Sequence, residues 1–190
     1  MKRSVGAALA AGLLAAAWSG QAMAGVTVLG NGFAADCSRS AKAVSMRQPP
    51  GYEAVKTCTR AIEEELLDSH DLAGTYVNRG ILYLAGRQFD GAIKDFDAAA
   101  GVEPSLGEVY VNRGAALVGQ GREADGIADI DKGLALGASE PEKAYYNRAI
   151  AKEQTGDLKG AYYDYLKASE LKPDWDAPKA ELARFTVVAK

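Results

Sequence analysis

Tyr76-Val-Asn-Arg-Gly80 returns as Tyr110-Val-Asn-Arg-Gly114 and again as Tyr145-Tyr-Asn-Arg-Ala149. The Asn-to-Asn spacings are 34 residues (Asn78 to Asn112) and 35 residues (Asn112 to Asn147). A period of that size marks a solenoid of helical hairpins, and such arrays mostly bind other molecules rather than transform them.

Within each unit a large residue (Tyr76, Tyr110, Tyr145) precedes a tiny one by four places (Gly80, Gly114, Ala149), so both lie on one helical face. The following helix carries its own small residue (Ala92, Gly126, Ala161) and, four later, a bulky one (Phe96, Ile130, Tyr165). Large is therefore expected to meet small across each hairpin. Gly86, Gly121 and Gly156 mark the turns, and Pro104 and Pro173 stop the second helices of their units. In the middle unit Gly126 and Gly133 sit inside a helix, each costing about 1 kcal/mol relative to Ala. That unit is expected to be the softest.

These positions resemble the tetratricopeptide repeat (TPR) family over residues 73–175, in three units: 73–106, 107–141 and 142–175. The resemblance implies an all-α, TPR-type helical-hairpin solenoid, a right-handed superhelix. A C-terminal capping helix is expected within 176–190, from Asp176 to Val188, with Leu182 and Phe185 buried. Residues 34–72 read as a degenerate hairpin. Ala54 and Ala61 occupy the two Ala positions of a second repeat helix, and Cys58 falls where Phe96 and Tyr165 fall. A first helix over 34–47 contains Cys37, so a Cys37–Cys58 disulfide is expected to staple the hairpin. The helix from Tyr52 is expected to run past Glu65 toward Asp68.

The N-terminal end reads as an export signal. Lys2 and Arg3 precede an apolar run from Val5 to Trp18, and Ala22-Met-Ala24 fits an A-x-A cleavage site with Gly25 as the new N-terminus. The apolar run is short for a bilayer span, and no later stretch is apolar enough to insert. Periplasmic localisation is expected, and an oxidising compartment suits the cysteine pair. Without Lys2 and Arg3, the 22 Lys+Arg and 25 Asp+Glu leave a mature net charge of −5. Such a balance argues against nucleic acid, whose binding needs a basic surface. Residues 25–33 read as a loose N-terminal arm and as a candidate for filling the chain's own groove.

No catalytic constellation is legible. The single histidine lies in Asp68-Ser69-His70-Asp71, read as a polar loop, because adjacent residues do not converge on one atom as a triad must. No metal-ligand spacing, phosphate loop or cofactor motif is present. The chain is therefore expected not to be an enzyme and to need no cofactor or metal. TPR resemblance places the concave groove on the first helix of each hairpin. Carried over, the candidate peptide-binding residues are Val77, Asn78, Ile81, Val111, Asn112, Lys143, Tyr146 and Asn147. Asn78, Asn112 and Asn147 form a row of amides, each able to donate to and accept from an extended backbone. Val77, Ile81, Val111 and Val118 offer an apolar floor, and Lys143 and Tyr146 a cation and an aromatic anchor, with Glu108 and Glu153 opposing the lysine. Few groove cations favour a neutral or mixed peptide over an acidic one. The expected function is an exported scaffold holding a peptide or partner protein in this groove. The alternative is a fixed subunit of an envelope assembly using its convex surface, where Tyr163 is a candidate contact.

Overall fold

The structure is a computed structural model that describes residues 22–28, 32–44 and 50–186. Among these, nine helices and no strand are formed: α1 (Phe33–Ala43), α2 (Tyr52–Glu64), α3 (Ser69–Ala85), α4 (Phe89–Val102), α5 (Gly107–Gly119), α6 (Glu123–Ala135), α7 (Pro141–Gln154), α8 (Leu158–Leu171) and α9 (Asp176–Leu182). Successive helices pair as antiparallel hairpins α1–α2, α3–α4, α5–α6 and α7–α8, and α9 packs on α8. The first helices α3, α5 and α7 also touch one another in sequence, so they share one inner face. The chain is an all-α helical-hairpin solenoid.

Large-on-small packing joins the hairpins as the repeat frame requires. A Cβ on Gly80 would stand 2.5 Å from the Phe96 ring, and one on Gly114 would stand 2.7 Å from Ile130. In the third repeat Ala149 and Tyr165 are both buried in one cluster. The middle hairpin departs from the others in how closely its backbones approach. A Cβ on Gly126 would lie 2.8 Å from the Gly114 carbonyl oxygen, and one on Gly133 would lie 2.7 Å from that of Gly107. Helix propensity alone makes this unit the weakest. The glycines that weaken each helix also let the pair close to a distance Ala would forbid.

Each repeat turn has the same form. Gln88, Arg122 and Asp157 donate their N–H groups back to the carbonyls of Tyr83, Leu117 and Lys152. The residue just before each donor is left-handed: Gly121 at φ 78° and Gly156 at φ 85°, but Arg87 at φ 58° in the first repeat. Gly86 stands one place too early to fill that role. Asp68 and Asp157 cap α3 and α8 by accepting from the N–H groups of Asp71 and Gly160. Asp68-Ser69-His70-Asp71 is thus a helix start, not a loop: capping turns these polar residues into the first turn of α3. His70 Nδ1 lies 2.9 Å from Glu103 Oε2.

The N-terminal hairpin is stapled by a Cys37–Cys58 disulfide spanning 21 residues of sequence. Closing a loop of that size stabilises by about 3 kcal/mol in the chain-entropy model. The helix expected to run to Asp68 stops at Glu64. Glu65 leaves the helix to accept the N–H groups of Phe33 and Ala34 at 2.5 and 3.0 Å. A carboxylate there satisfies two orphan donors at the positive end of α1, and this outweighs one more residue of α2. Gly32 leaves room for it, since a Cβ would collide with that carboxylate. The capping helix is shorter than expected, ending at Leu182, with Phe185 folded back onto Tyr162 and Tyr165. The part of the expected helix from Val187 to Val188 lies outside the described residues.

An aromatic cluster closes the C-terminal end. Tyr146 packs edge-on to Tyr165 with centroids 5.5 Å apart and against Trp175 at 4.8 Å. Burial pushes the Tyr146 phenol up to about 12 and raises that of Tyr165 as well. An unfolded tyrosine ionises near pH 10. Below that pH both states keep these protons and the full contribution to stability is present. Above it the unfolded chain releases protons the folded chain retains, so stability falls as pH rises from about 10 through 12. The urea midpoint is expected to be flat from pH 8 to 9 and to drop between pH 10 and 11. Tyr146→Phe should flatten that drop.

Candidate peptide groove

The inner face of α3, α5 and α7 is occupied by residues 22–28 of the chain itself. Asn78, Asn112 and Asn147, one per repeat, grip this segment at every second residue. The N–H groups of Ala22, Ala24 and Val26 donate to the side-chain oxygens of Asn147, Asn112 and Asn78 at 2.9, 3.0 and 3.3 Å. The same three amides donate back to the carbonyl oxygens of Ala22, Ala24 and Val26 at 2.6, 2.8 and 2.9 Å.

Strand geometry explains the pattern. In an extended chain the N–H and C=O of one residue point to the same side, and the next residue points to the other. A primary amide carries one oxygen acceptor beside two N–H donors. It can therefore pair with a single residue as a neighbouring strand would. One amide per repeat then reads one residue in two. All three asparagines are 0–1% exposed beneath the segment, and its backbone satisfies the amides that it shuts off from water.

Further contacts fix the segment. Lys143 Nζ donates to the Met23 carbonyl at 2.7 Å while pairing with Glu140. Ser38 Oγ donates to the Val26 carbonyl at 3.0 Å, and Lys42 Nζ to Thr27 Oγ1 at 2.8 Å. Ala24, Val26 and Val28 are buried, whereas Thr27 is exposed. Val26 joins Val77 and Ile81 in one apolar cluster. The arm expected to be loose over 25–33 is thus bound from Ala22 to Val28, beginning three residues before Gly25. Phe33 belongs to α1, and residues 29–31 lie outside the described residues.

Several expected groove residues have other roles. Val111 and Val118 face α6, where Cβ atoms on Gly133 and Gly126 would lie 2.6 and 2.5 Å from them. Their apolar side chains fill the space the glycines leave. Glu108 does not oppose Lys143, because it accepts from the Ser139 N–H at 2.7 Å ahead of α7. Glu153 is held by Arg184 at 2.6 Å and by the Tyr165 hydroxyl at 3.2 Å. Tyr146 is 3% exposed within the aromatic cluster. It packs as core, its ring set against Tyr165 and Trp175.

The arginines beside the asparagines form a second ladder that the repeat frame hid. Arg79, Arg113 and Arg148 make two-pronged bonds to Asp95, Asp129 and Asp164 at 2.6–2.9 Å. The remaining prong reaches the preceding hairpin, at Thr59, Asp97 and Asp131. Donating hydrogen bonds to Asp95, Asp129 and Asp164 raises the three guanidinium pKa values, so these cations stay charged and engaged. The recurrence of Asp95, Asp129 and Asp164 at the repeat period was the available signal. An open depression of about 360 Å³ on this side is lined by Arg113, Arg122, Asp125 and Asp129, whose charges already pair. Among the described residues, no group of three or more ligating side chains could hold a metal ion. No helix there is long and apolar enough to cross a membrane.

No family model matches the chain, and no curated protein does. Solved structures match in fold. The Arabidopsis OM64 TPR domain is 22% identical with a TM-score of 0.57, over 62% of this chain and 96% of that one. The first TPR domain of human RPAP3 is 25% identical at 0.57, over 62% and 91%. The first TPR of Spaghetti (RPAP3), bound to the HSP90 peptide SRMEEVD, is 25% identical at 0.56, over 62% and 92%. The hairpin solenoid thus has the TPR fold.

Proposed function

We propose that this chain is an exported TPR scaffold that holds an extended segment of a partner protein in its concave groove. One observation carries the reading: three repeat-related amides each bond both polar groups of one backbone residue in an extended segment. This grip needs no side chain from the ligand, so it serves a segment in trans as well as in cis. The Spaghetti TPR bound to the HSP90 peptide SRMEEVD supports peptide binding by this fold. The ligand differs in charge. Arg79, Arg113 and Arg148 are engaged by aspartates, which leaves Lys143 as the cation on the segment's backbone. A neutral ligand fits better than an acidic tail.

Export and occupancy are linked in this reading. Cleavage after Ala24 removes Ala22, Met23 and Ala24, the partners of Asn147, Lys143 and Asn112, and leaves Val26 on Asn78. The unprocessed chain keeps its groove filled, and processing opens two of the three amide positions in the periplasm.

The test is a crosslinking pull-down from the exported fraction. Wild type is compared with a variant carrying Asn78→Ala, Asn112→Ala and Asn147→Ala, after circular dichroism shows equal helix content. Capture by wild type and loss in the variant is the expected result. Equal capture would move the binding surface off the groove, toward the convex face where Tyr163 is 45% exposed.

A further inference from the structure

The segment in the groove has a side-chain pattern as regular as its backbone bonds. Every second side chain turns inward: Ala24 is 0% exposed, Val26 6% and Val28 5%. Thr27 between them is exposed. The inward sites are not equal. Opposite Val26 and Val28 the first repeat presents Gly74, where an added Cβ would lie 2.8 Å from Val26 Cγ1 and 3.2 Å from Val28 Cγ2. One repeat later the position of Gly74 is filled by Glu108, and two repeats later by Lys143. By repeat symmetry, a Cβ stands there against the space that Val26 Cγ1 occupies in the first repeat. The residues at these later sites are Ala24 and Ala22, which have no γ-carbon.

We propose that the groove is sequence-selective and directional. It takes an extended, neutral peptide with Ala or Gly at the two residues read by Asn147 and Asn112 and a β-branched aliphatic residue at the one read by Asn78. The peptide's N-terminus lies toward the third repeat. This rests on the reading of the groove as a peptide site and adds which peptides enter it. Of the intervening residues, Thr27 faces outward and is free to vary, whereas Met23 packs against the apolar cluster that includes Val77 and Val109 and is held at its carbonyl by Lys143. Ala or Gly at the first two sites is a requirement because a larger side chain would press on Cβ atoms that belong to helices. Overpacking of that kind is not relieved by a rotamer change.

The test uses the full chain carrying Ala24→Arg, which displaces the chain's own segment, with Ala22→Arg as a second host. The probe is a labelled peptide, Gln-Ala-Met-Ala-Gly-Val-Thr-Val, corresponding to residues 21–28, read by fluorescence anisotropy. It is expected to bind both hosts and to bind wild type at least about tenfold more weakly, because the wild-type groove is filled. The same peptide with Leu in place of Ala24 is expected to lose at least about tenfold in affinity, the equivalent of one overpacked side chain. With Leu in place of Thr27 it should change less than about threefold, since only a surface hydrogen bond is lost. Equal binding of the Ala24→Leu and parent peptides would overturn the selectivity and leave the groove reading standing. Failure of the parent peptide to bind either host would overturn both.

Discussion

In the full chain carrying Asn78→Ala, Asn112→Ala and Asn147→Ala, residues 22–28 are expected to leave the groove while the helices stay folded. Holding seven residues in one conformation costs about 1–2 kcal/mol each. Burial of Val26 and Val28 returns about 1.5–3 kcal/mol per side chain, and Ala24 less. The six amide bonds, at about 1 kcal/mol net apiece, tip this balance toward the bound state. Without them the segment gains more by freedom than by contact. The amides of Ala22, Ala24 and Val26 should then exchange with solvent at least about 100-fold faster, while those of α5 and α7 remain protected. Unchanged protection of the three amides would mean that apolar burial alone holds the segment. The Asn row would then be packing.

Gly126→Ala combined with Gly133→Ala should cost stability although both changes favour the helix. Helix propensity favours both changes, by about 1 kcal/mol each. The tertiary contact opposes them. The new methyl groups would stand 2.8 and 2.7 Å from the carbonyl oxygens of Gly114 and Gly107, and 2.5 and 2.6 Å from Val118 and Val111. A valine can turn, but a helix backbone can only move away. Overpacking costs about 1–3 kcal/mol per site, and one separation of α5 from α6 would relieve both sites. Overpacking at the pair should therefore cost somewhat less than twice that at one site, about 3–4 kcal/mol, and the propensity gain of about 2 kcal/mol leaves a net loss of about 1–2 kcal/mol. Urea denaturation of the single and double variants would show it. A gain in stability would mean that α5 and α6 lie further apart than described. The change should also reach the groove, because Asn112 lies on α5 and moves with it.

Asn112 and Val111 show how far the sequence could be read. Both were placed on the groove by the repeat frame. Asn112 bonds the bound segment, whereas Val111, one place earlier, turns toward α6. A helical position sets a direction to within one residue's rotation, and two neighbours on that boundary part only once the helices pack. Glu65 shows a different gap. It continues the polar face of α2, and nothing local says that its carboxylate will cap α1, 31 and 32 residues earlier. The arginine–aspartate ladder lay in the repeats unread, because its partners are 16 residues apart, on different helices of each hairpin.

The amino-acid sequence by itself determined the helices, their pairing, the facing cysteines and the row of asparagines. All of these follow from contacts within one repeat period, where spacing along the chain sets which face a residue joins. Only the tertiary structure decided what the asparagines hold. The segment from Ala22 to Val28 meets them across separations of 125, 88 and 52 residues, in an order opposite to that of the repeats. An extended chain without regular structure of its own carries no periodicity that names such partners. Its place follows from the curvature of three stacked helices, which brings one amide to every second residue of a backbone.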